Sequence, residues 1–312
     1  MIFEKPMKTM SAGPREVLLA KFGEKVKENI SLAPYTSARI GGPADLFIIA
    51  GSSDELAGIV SALWEEGLSF FMLGGGSNVL VSDRGVRGVT VLNRAKAVHF
   101  ENGSQPRVRA ESGVIFSNLA NRCASKGLSG LEWAATVPGT VGGAVYGNAG
   151  AFEGDVSGNL IRAELLTETG RVHWPVEKME YGYRTSVLKR GTLKAVVLSA
   201  ELSLKIATKE EVTVKIGQFS ERRKSTQPPG ASMGSMFRNP TGDYAGRLIE
   251  AAGLKGTRIG NAEISPVHGN FFVNHGQTKA ADIRALIELA QKTVADKFGV
   301  KLELEVELVG EW

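Results

Sequence analysis

The sequence predicts an α+β protein of two small lobes and a third region, and three patterns predict it. Short apolar strand-like runs alternate with a helical stretch from Ala44 to Leu92. Paired strands around tight turns dominate from Val98 to Leu204. A long amphipathic helix and an alternating apolar–acidic run close the chain between 279 and 308. With 312 residues and 43% hydrophobic content, the chain is long enough for two or three cores. The divisions fall at 1–95, 96–205 and 206–312.

In chain order, Leu18, Phe22 and Val26 share a stripe that predicts a helix over 14–28. Ala44 to Ala50 reads as a strand, and Ser52 or Ser53 caps a helix through Leu63 and Trp64. Phe70 to Leu73 is a short strand that delivers the run Gly74-Gly75-Gly76-Ser77-Asn78, and Gly88 to Leu92 is another strand. Val98 to Glu101, the turn Asn102-Gly103 and Arg107 to Glu111 make a hairpin. A helix covers Ile115 to Lys126, and the segment Val137 to Gly150 follows as a glycine-rich loop. Strands at about 160–167 and 171–175 flank Thr169-Gly170, and Ala195 to Leu204 closes the second lobe. A helix over Lys209 to Lys224 turns Val212, Ile216 and Phe219 inward, and Ser225 to Gly234 is a loop. Residues 279–298 carry Ile283, Leu286, Ile287, Ala290, Val294 and Phe298 on one helical face. Leu302, Leu304, Val306 and Leu308 alternate with Glu303, Glu305 and Glu307 in a final strand.

Composition narrows the function classes. A net charge of +4 suits an anionic small molecule, and no basic run with interleaved aromatics points to nucleic acid. Cys123 is the only cysteine, which excludes an internal disulfide and fits a reducing compartment. It shares a helical face with Phe116, Leu119 and Ala120, the pattern of a core thiol. Met1 to Met10 has no long apolar stretch, and no run is long enough to span a bilayer, so a cytoplasmic protein is expected.

Val137 to Gly150 holds five glycines in fourteen residues and no charge. Together with Gly74–Gly76 it suggests two backbone cradles for one large phosphate-bearing ligand, although each run alone is also compatible with a tight turn. No G-x-G-x-x-G, no P-loop and no G-x-S-x-G elbow occurs, and the four histidines lack metal-ligand spacing, so no metal site is expected. Three residues could carry chemistry. Ser235, behind Gly234, has an accessible hydroxyl, or is a loop serine bonding its own backbone. Arg184, in Tyr181-Gly182-Tyr183-Arg184, could clamp a carboxylate, or stack on a tyrosine at the surface. Glu305 shares its face with Glu303 and Glu307, which reads most simply as a solvated acidic strand face.

From Arg39-Ile40-Gly41-Gly42-Pro43-Ala44 to Leu302-Glu303-Leu304-Glu305-Val306, the chain resembles the UDP-N-acetylenolpyruvoylglucosamine reductases, flavoenzymes of bacterial peptidoglycan synthesis. The motifs between are Leu73-Gly74-Gly75-Gly76-Ser77-Asn78, Pro138-Gly139-Thr140-Val141-Gly142-Gly143, Asn148-Ala149-Gly150-Ala151, Gly182-Tyr183-Arg184, Gly234-Ser235-Met236-Phe237-Arg238-Asn239-Pro240 and His268-Gly269-Asn270-Phe271. The resemblance implies a two-lobed FAD-binding module of the vanillyl-alcohol-oxidase type and a C-terminal α+β substrate domain. FAD would be held non-covalently between the lobes by Gly74, Gly75, Gly76, Ser77 and Asn78 and by Pro138, Gly139, Thr140, Gly143, Asn148 and Gly150. NADPH would reduce the flavin, which passes hydride to C3 of UDP-N-acetylglucosamine enolpyruvate. Arg184 and Glu305 would surround the substrate carboxylate, with Glu305 protonated or paired to Arg184, and Ser235 would give a proton to C2. Tyr183, Arg222, Arg223 and Asn239 would contact substrate. The connections around 187–210 are hairpin-sized, which matches the family's shorter form. The run Arg222-Arg223-Lys224-Ser225 departs from the longer form's pattern, so Lys224 is only a candidate for the diphosphate. An FAD oxidase on the same scaffold, or a non-catalytic flavin-binding module, would explain the glycine runs but not Ser235, Arg184 and Glu305 together.

Overall fold

The computed structural model describes residues 13–312; the expectation that Met1 to Met10 carries no leader falls outside them. Helix α1 (Pro14–Phe22) ends at Gly23, well short of residue 28. Instead, Lys27–Ser31 is a strand antiparallel to Pro43–Ala50. Only Ile30 on it is even half-buried, so a helical stripe was the only pattern on view. The first sheet runs Lys27–Ser31, Pro43–Ala50, Val86–Asn93, Phe70–Leu73, its last two pairings parallel. Helix α2 (Ser53–Glu65) buries Leu56, Ile59, Val60 and Leu63 in the core it shares with this sheet. The Ser52 hydroxyl caps it by accepting from the Glu55 N–H at 3.1 Å.

The second sheet is antiparallel throughout, in the order Gly170–Pro175, Leu160–Thr167, Ala195–Ser203, Arg107–Glu111, Val98–Glu101. Its buried carboxylates are fully paired. Arg107 and Arg162 donate to Glu201 at 2.7 and 2.6 Å, and Arg109 donates to Glu164 at 2.6 Å. Helix α3 (Phe116–Ala124) buries Phe116, Leu119, Ala120 and Cys123. Burial pushes the Cys123 thiol up to about 12, as an inert core group requires. The second glycine run is not one loop: Val141–Gly147 forms helix α4, capped by the Thr140 hydroxyl and ended by Asn148 at φ +47°.

Helix α5 (Lys209–Thr226) starts at a capping box between Thr208 and Glu211 and absorbs the first two residues of the expected loop. The end of that loop is the strand Ala231–Ser235, at the edge of a third sheet ordered Ala231–Ser235, Phe271–Asn274, Ala262–Ile264, Arg258–Ile259. Val212 is buried, but Ile216 and Phe219 are only half-buried, Phe219 stacking on Phe152 at 4.6 Å. Helices α6 (Ala245–Ala251) and α7 (Ala280–Phe298) join this sheet in one core. Ile283, Leu286, Ile287, Ala290 and Val294 face inward, whereas Phe298 is exposed.

The chain end differs most from expectation. Leu302 to Leu308 is not one strand: Leu304 makes a single bridge to Phe237, and only Glu307–Val309 is a strand. That strand pairs in parallel with Val79–Val81, directly after the first glycine run. Leu302 and Val306 enter the third core beside Ala38, Ile40 and Leu80. The C-terminal segment therefore bridges the first and third regions. A second bridge is a helix cap: the Asp83 carboxylate accepts from the first N–H groups of α7, Ala280 at 2.8 Å and Ala281 at 3.0 Å. Among the described residues, no helix is long and apolar enough to cross a membrane, and no His/Cys/Asp/Glu group could hold a metal ion.

Asp83→Ala leaves two N–H groups at the start of α7 without their acceptor. It is expected to cost about 1–2 kcal/mol, read as a lower denaturation midpoint, with Asp83→Asn losing less because one acceptor oxygen stays. An unchanged midpoint in Asp83→Ala would show that this cap does not hold α7 to the first lobe.

Candidate active site

The two glycine runs meet. A Cβ on Gly75 would lie 2.7 Å from the Gly139 Cα, and one on Gly74 would lie 2.6 Å from the Thr140 hydroxyl. Gly139, at φ +101°, faces the Ser77 hydroxyl in the same way, at 2.6 Å. Gly76 is buried at φ +59°, and a Cβ there would meet the Tyr35 carbonyl oxygen at 2.3 Å. Gly74, Gly75 and Gly139 thus serve first to let the two loops pack closely, and Gly76 lets the first loop pack on Tyr35. Gly143 is different: its nearest neighbour would be the Thr140 hydroxyl at 3.7 Å.

The paired loops present unused donors. The N–H groups of Gly74, Gly75, Gly76, Ser77 and Asn78 reach no acceptor among the described residues, nor do those of Gly139 and Thr140. By contrast, the N–H groups of Val141 and Gly142 are spent on Val114 and Ser112. Pro138 has no N–H and is exposed beside Gly139. Asn148 is buried, and its side chain is engaged within the chain, donating to Gly182 O at 3.1 Å and accepting from Ser157 N at 3.0 Å. Gly150 packs on Asp155 in a short hairpin.

Arg184 and Glu305, 121 positions apart, come together. The Arg184 Nε lies 3.0 Å from Glu305 Oε1, both side chains mostly buried at 27% and 14% exposure. Arg184 stands at φ +56° in a turn closed by Gly182 and Thr185. Ser186 anchors that turn by donating to Tyr146 O at 2.6 Å and accepting from Lys189 N at 3.2 Å. The guanidinium also lies 5.7 Å from the centre of the Tyr183 ring, which is 60% exposed. Stacking and ion pairing are therefore both present at Arg184. Its Nε is sealed from solvent without an aligned hydrogen bond, as is that of Arg238.

Glu305 is not on a solvated face. Its N–H donates to Met236 O at 2.9 Å, and its carbonyl accepts from the Asn78 side chain at 3.0 Å. Burial raises its carboxyl above the ordinary value, against the opposing pull of Arg184, Lys189 and Arg238. Lys189 in turn lies 3.6 Å from Glu307. Ser235 ends the strand Ala231–Ser235, next to the Met236 carbonyl that holds Glu305. It follows Gly234 at φ +78° and a slip of register against Phe271–Asn274. Its hydroxyl bonds no group among the described residues, so it is not the self-bonded loop serine that is the commoner case. Asn270 fixes Phe237, two residues on, accepting from Phe237 N at 2.9 Å and donating to Phe237 O at 2.8 Å.

The expected substrate contacts divide. Arg223 is half-buried and spends its guanidinium inside the chain, on Gln227 at 2.6 Å and on the carbonyl and hydroxyl of Thr136. It ties α5 to the turn Glu132–Thr136, so the assignment of Arg223 to substrate gives way to a structural one. Arg222 is exposed and lies over the Phe152 ring, and Lys224 pairs with Glu221 at the surface. Asn239 is exposed, with its side-chain oxygen accepting from Ala245 N at the start of α6. Sequence reasoning missed Lys189, Arg238 and Asn270. Arg238 and Asn270 lie inside the quoted motifs, and no local spacing signals that Lys189 reaches Glu307.

A family model described as the C-terminal domain of UDP-N-acetylenolpyruvoylglucosamine reductase matches residues 225–309, and one described as an FAD binding domain matches 44–174. A UDP-N-acetylenolpyruvoylglucosamine reductase of Chloroflexus aggregans is 44% identical over 290 residues, covering 91% of this chain and 97% of its own length. That of Bacillus subtilis is 43% identical over 289 residues, covering 92% and 94%. The crystal structure of UDP-N-acetylenolpyruvylglucosamine reductase from Thermus caldophilus superposes with a TM-score of 0.75 at 34% identity, covering 90% of this chain and 98% of that one.

The paired loops fit the FAD that such a domain binds. A diphosphate needs several converging donors, and consecutive free N–H groups in glycine-rich backbone supply them without a side chain in the way. Two substitutions separate packing from ligand contact. Gly75→Ala forces the loops apart and is expected to lower both thermal stability and FAD content. Gly143→Ala fits within α4 and is expected to keep or slightly raise the stability of the FAD-free protein. Equal stability in Gly75→Ala and the parent protein would contradict the packing role.

Proposed function

Because the chain belongs to the UDP-N-acetylenolpyruvoylglucosamine reductase family and carries its FAD-binding domain, we propose that it reduces UDP-N-acetylglucosamine enolpyruvate to UDP-N-acetylmuramate with NADPH, in the cytoplasm, for peptidoglycan synthesis. The observation that carries this is the buried contact between Arg184 and Glu305, with the Glu305 N–H held by the carbonyl of Met236, the residue after Ser235. FAD would be held between the lobes 1–95 and 96–205 by the free N–H groups of the two glycine loops, with the region 206–312 supplying Ser235 and Glu305.

When bound, FAD supplies hydride transfer, from NADPH in one half-reaction and to C3 of the enolpyruvyl group in the other. Hydride addition at C3 places negative charge on the carboxylate and C2 of the substrate. Arg184, fixed by its turn, meets that charge with a planar fork. An ionised Glu305 would repel it. A neutral Glu305, as its burial favours, leaves the positive charge of Arg184, Lys189 and Arg238 unopposed from that side and can itself donate a hydrogen bond. Ser235 delivers its hydroxyl proton to C2 and is reprotonated from water. Positioning compensates for the weak acidity of a serine, since an enolate carbon is a strong base. Tyr183, Arg222 and Asn239, all exposed, stand where a nucleotide sugar can reach them, and Lys224 is a further surface cation for its diphosphate.

Stopped-flow measurement of the two half-reactions tests the roles. Ser235→Ala is expected to leave NADPH-driven flavin reduction nearly intact and to slow reoxidation by the enolpyruvyl substrate by about 10²–10⁴-fold. Equal slowing of both halves would mean that Ser235 only shapes the site. The pH profile tests Glu305. With its pKa raised and its neutral form active, the reoxidation rate falls as pH rises through that pKa. Glu305→Gln cannot ionise and should flatten this limb, whereas an unchanged limb would assign the titration to another group.

A further inference from the structure

Asn78 touches two parts of the machinery through different atoms. Its backbone N–H is one of the five free donors of the first glycine run. Its side-chain Nδ2 instead donates 3.0 Å to the main-chain carbonyl of Glu305, 227 positions along the chain. Its own carbonyl accepts from Glu307 N at 3.0 Å, which starts the parallel pairing of Glu307–Val309 with Val79–Val81. Glu305 is thus clamped on both sides, at its N–H by Met236 beside Ser235 and at its carbonyl by Asn78 in the flavin loop. Met236 sets Glu305 relative to the proton donor, and Asn78 sets it relative to the cofactor loop.

We propose that Asn78 is a positioning residue for Glu305: its side-chain amide fixes the Glu305 backbone so that the carboxyl meets Arg184, an inference that rests on the reductase assignment above. The chemistry explains why the residue is an asparagine. The group to be held is a carbonyl, so the loop must supply a short neutral donor. Aspartate, ionised, offers only acceptors, and leucine or alanine offers nothing. With the carbonyl released, the peptide after Glu305 keeps only the long contact of Val306 N with Met236 O at 3.5 Å, and the carboxyl shifts relative to Arg184, Lys189 and Arg238, with Glu307 the nearest competing anion. A single neutral hydrogen bond of this kind supports an effect of about tenfold.

The test uses Asn78→Ala and the isosteric Asn78→Asp in the FAD-loaded enzyme, with FAD content, both half-reactions and the pH profile of reoxidation measured. Both variants should retain FAD, with reoxidation by substrate slowed about tenfold and NADPH-driven reduction affected far less. The pH limb assigned to Glu305 should move in both. In a Glu305→Ala background, Asn78→Ala should add little, because no carboxyl is left to position. Reoxidation at the parent rate in Asn78→Ala, when Glu305→Ala is slow, would overturn the positioning role. So would loss of FAD, or equal slowing of both halves, which would assign the side chain to the cofactor. If Glu305→Ala reoxidises at the parent rate, the reading of the site fails, and this inference fails with it.

Discussion

The buried carboxyl of Glu305 is the constraint around which the site is arranged. A carboxyl group taken out of water must be neutral or paired, and this one sits among Arg184, Lys189 and Arg238. Three regions of the chain have to converge for that to happen. The turn at Gly182–Thr185 brings Arg184, the strand Ala231–Ser235 leads to Met236, and the first glycine run brings Asn78. The C-terminal segment ties these together, entering the third core through Leu302 and Val306 before pairing with Val79–Val81. Its fold is therefore set by tertiary contacts and by very little local ladder.

The same economy appears in the glycine runs. Glycine at Gly75 lets the first loop touch the backbone of Gly139, and glycine at Gly74 and Gly139 leaves room for the Thr140 and Ser77 hydroxyls. That contact places two sets of free N–H groups side by side, where a side chain would separate them. Packing and ligand binding are thus consequences of one absence, that of Cβ. Gly143 is the exception, with free space where a Cβ would stand.

Elements with a local signature were legible in the sequence. The hairpin at Asn102-Gly103 and helices α2 and α7 carry turn chemistry, caps or a long apolar stripe, and each forms close to its expected bounds. Lys27–Ser31 was not legible, because an exposed edge strand has no buried face to create a pattern. Val79–Val81 was not, because three residues become a strand only through the distant Glu307–Val309. The alternation from Leu302 to Leu308 is genuine in part, since Leu302 and Val306 are buried, but it reflects insertion into a core and not a ladder. For the site, motif order pointed to Arg184, Ser235 and Glu305, and the fold brings their segments together. Spacing could not show that Arg223 is consumed by Thr136 and Gln227, or that Asn78 reaches Glu305, since both depend on contacts across the molecule.

The central claim is that Arg184 and Glu305 act as one unit on the substrate carboxylate. A double-mutant cycle on flavin reoxidation, with Arg184→Lys, Glu305→Ala and both together, measures this directly. Arg184→Lys keeps the charge but loses the planar fork, so it should be costly alone. The account predicts that the two losses are clearly non-additive, with a coupling of about 1–3 kcal/mol. Strict additivity would contradict it, leaving a buried ion pair with no shared part in the reaction.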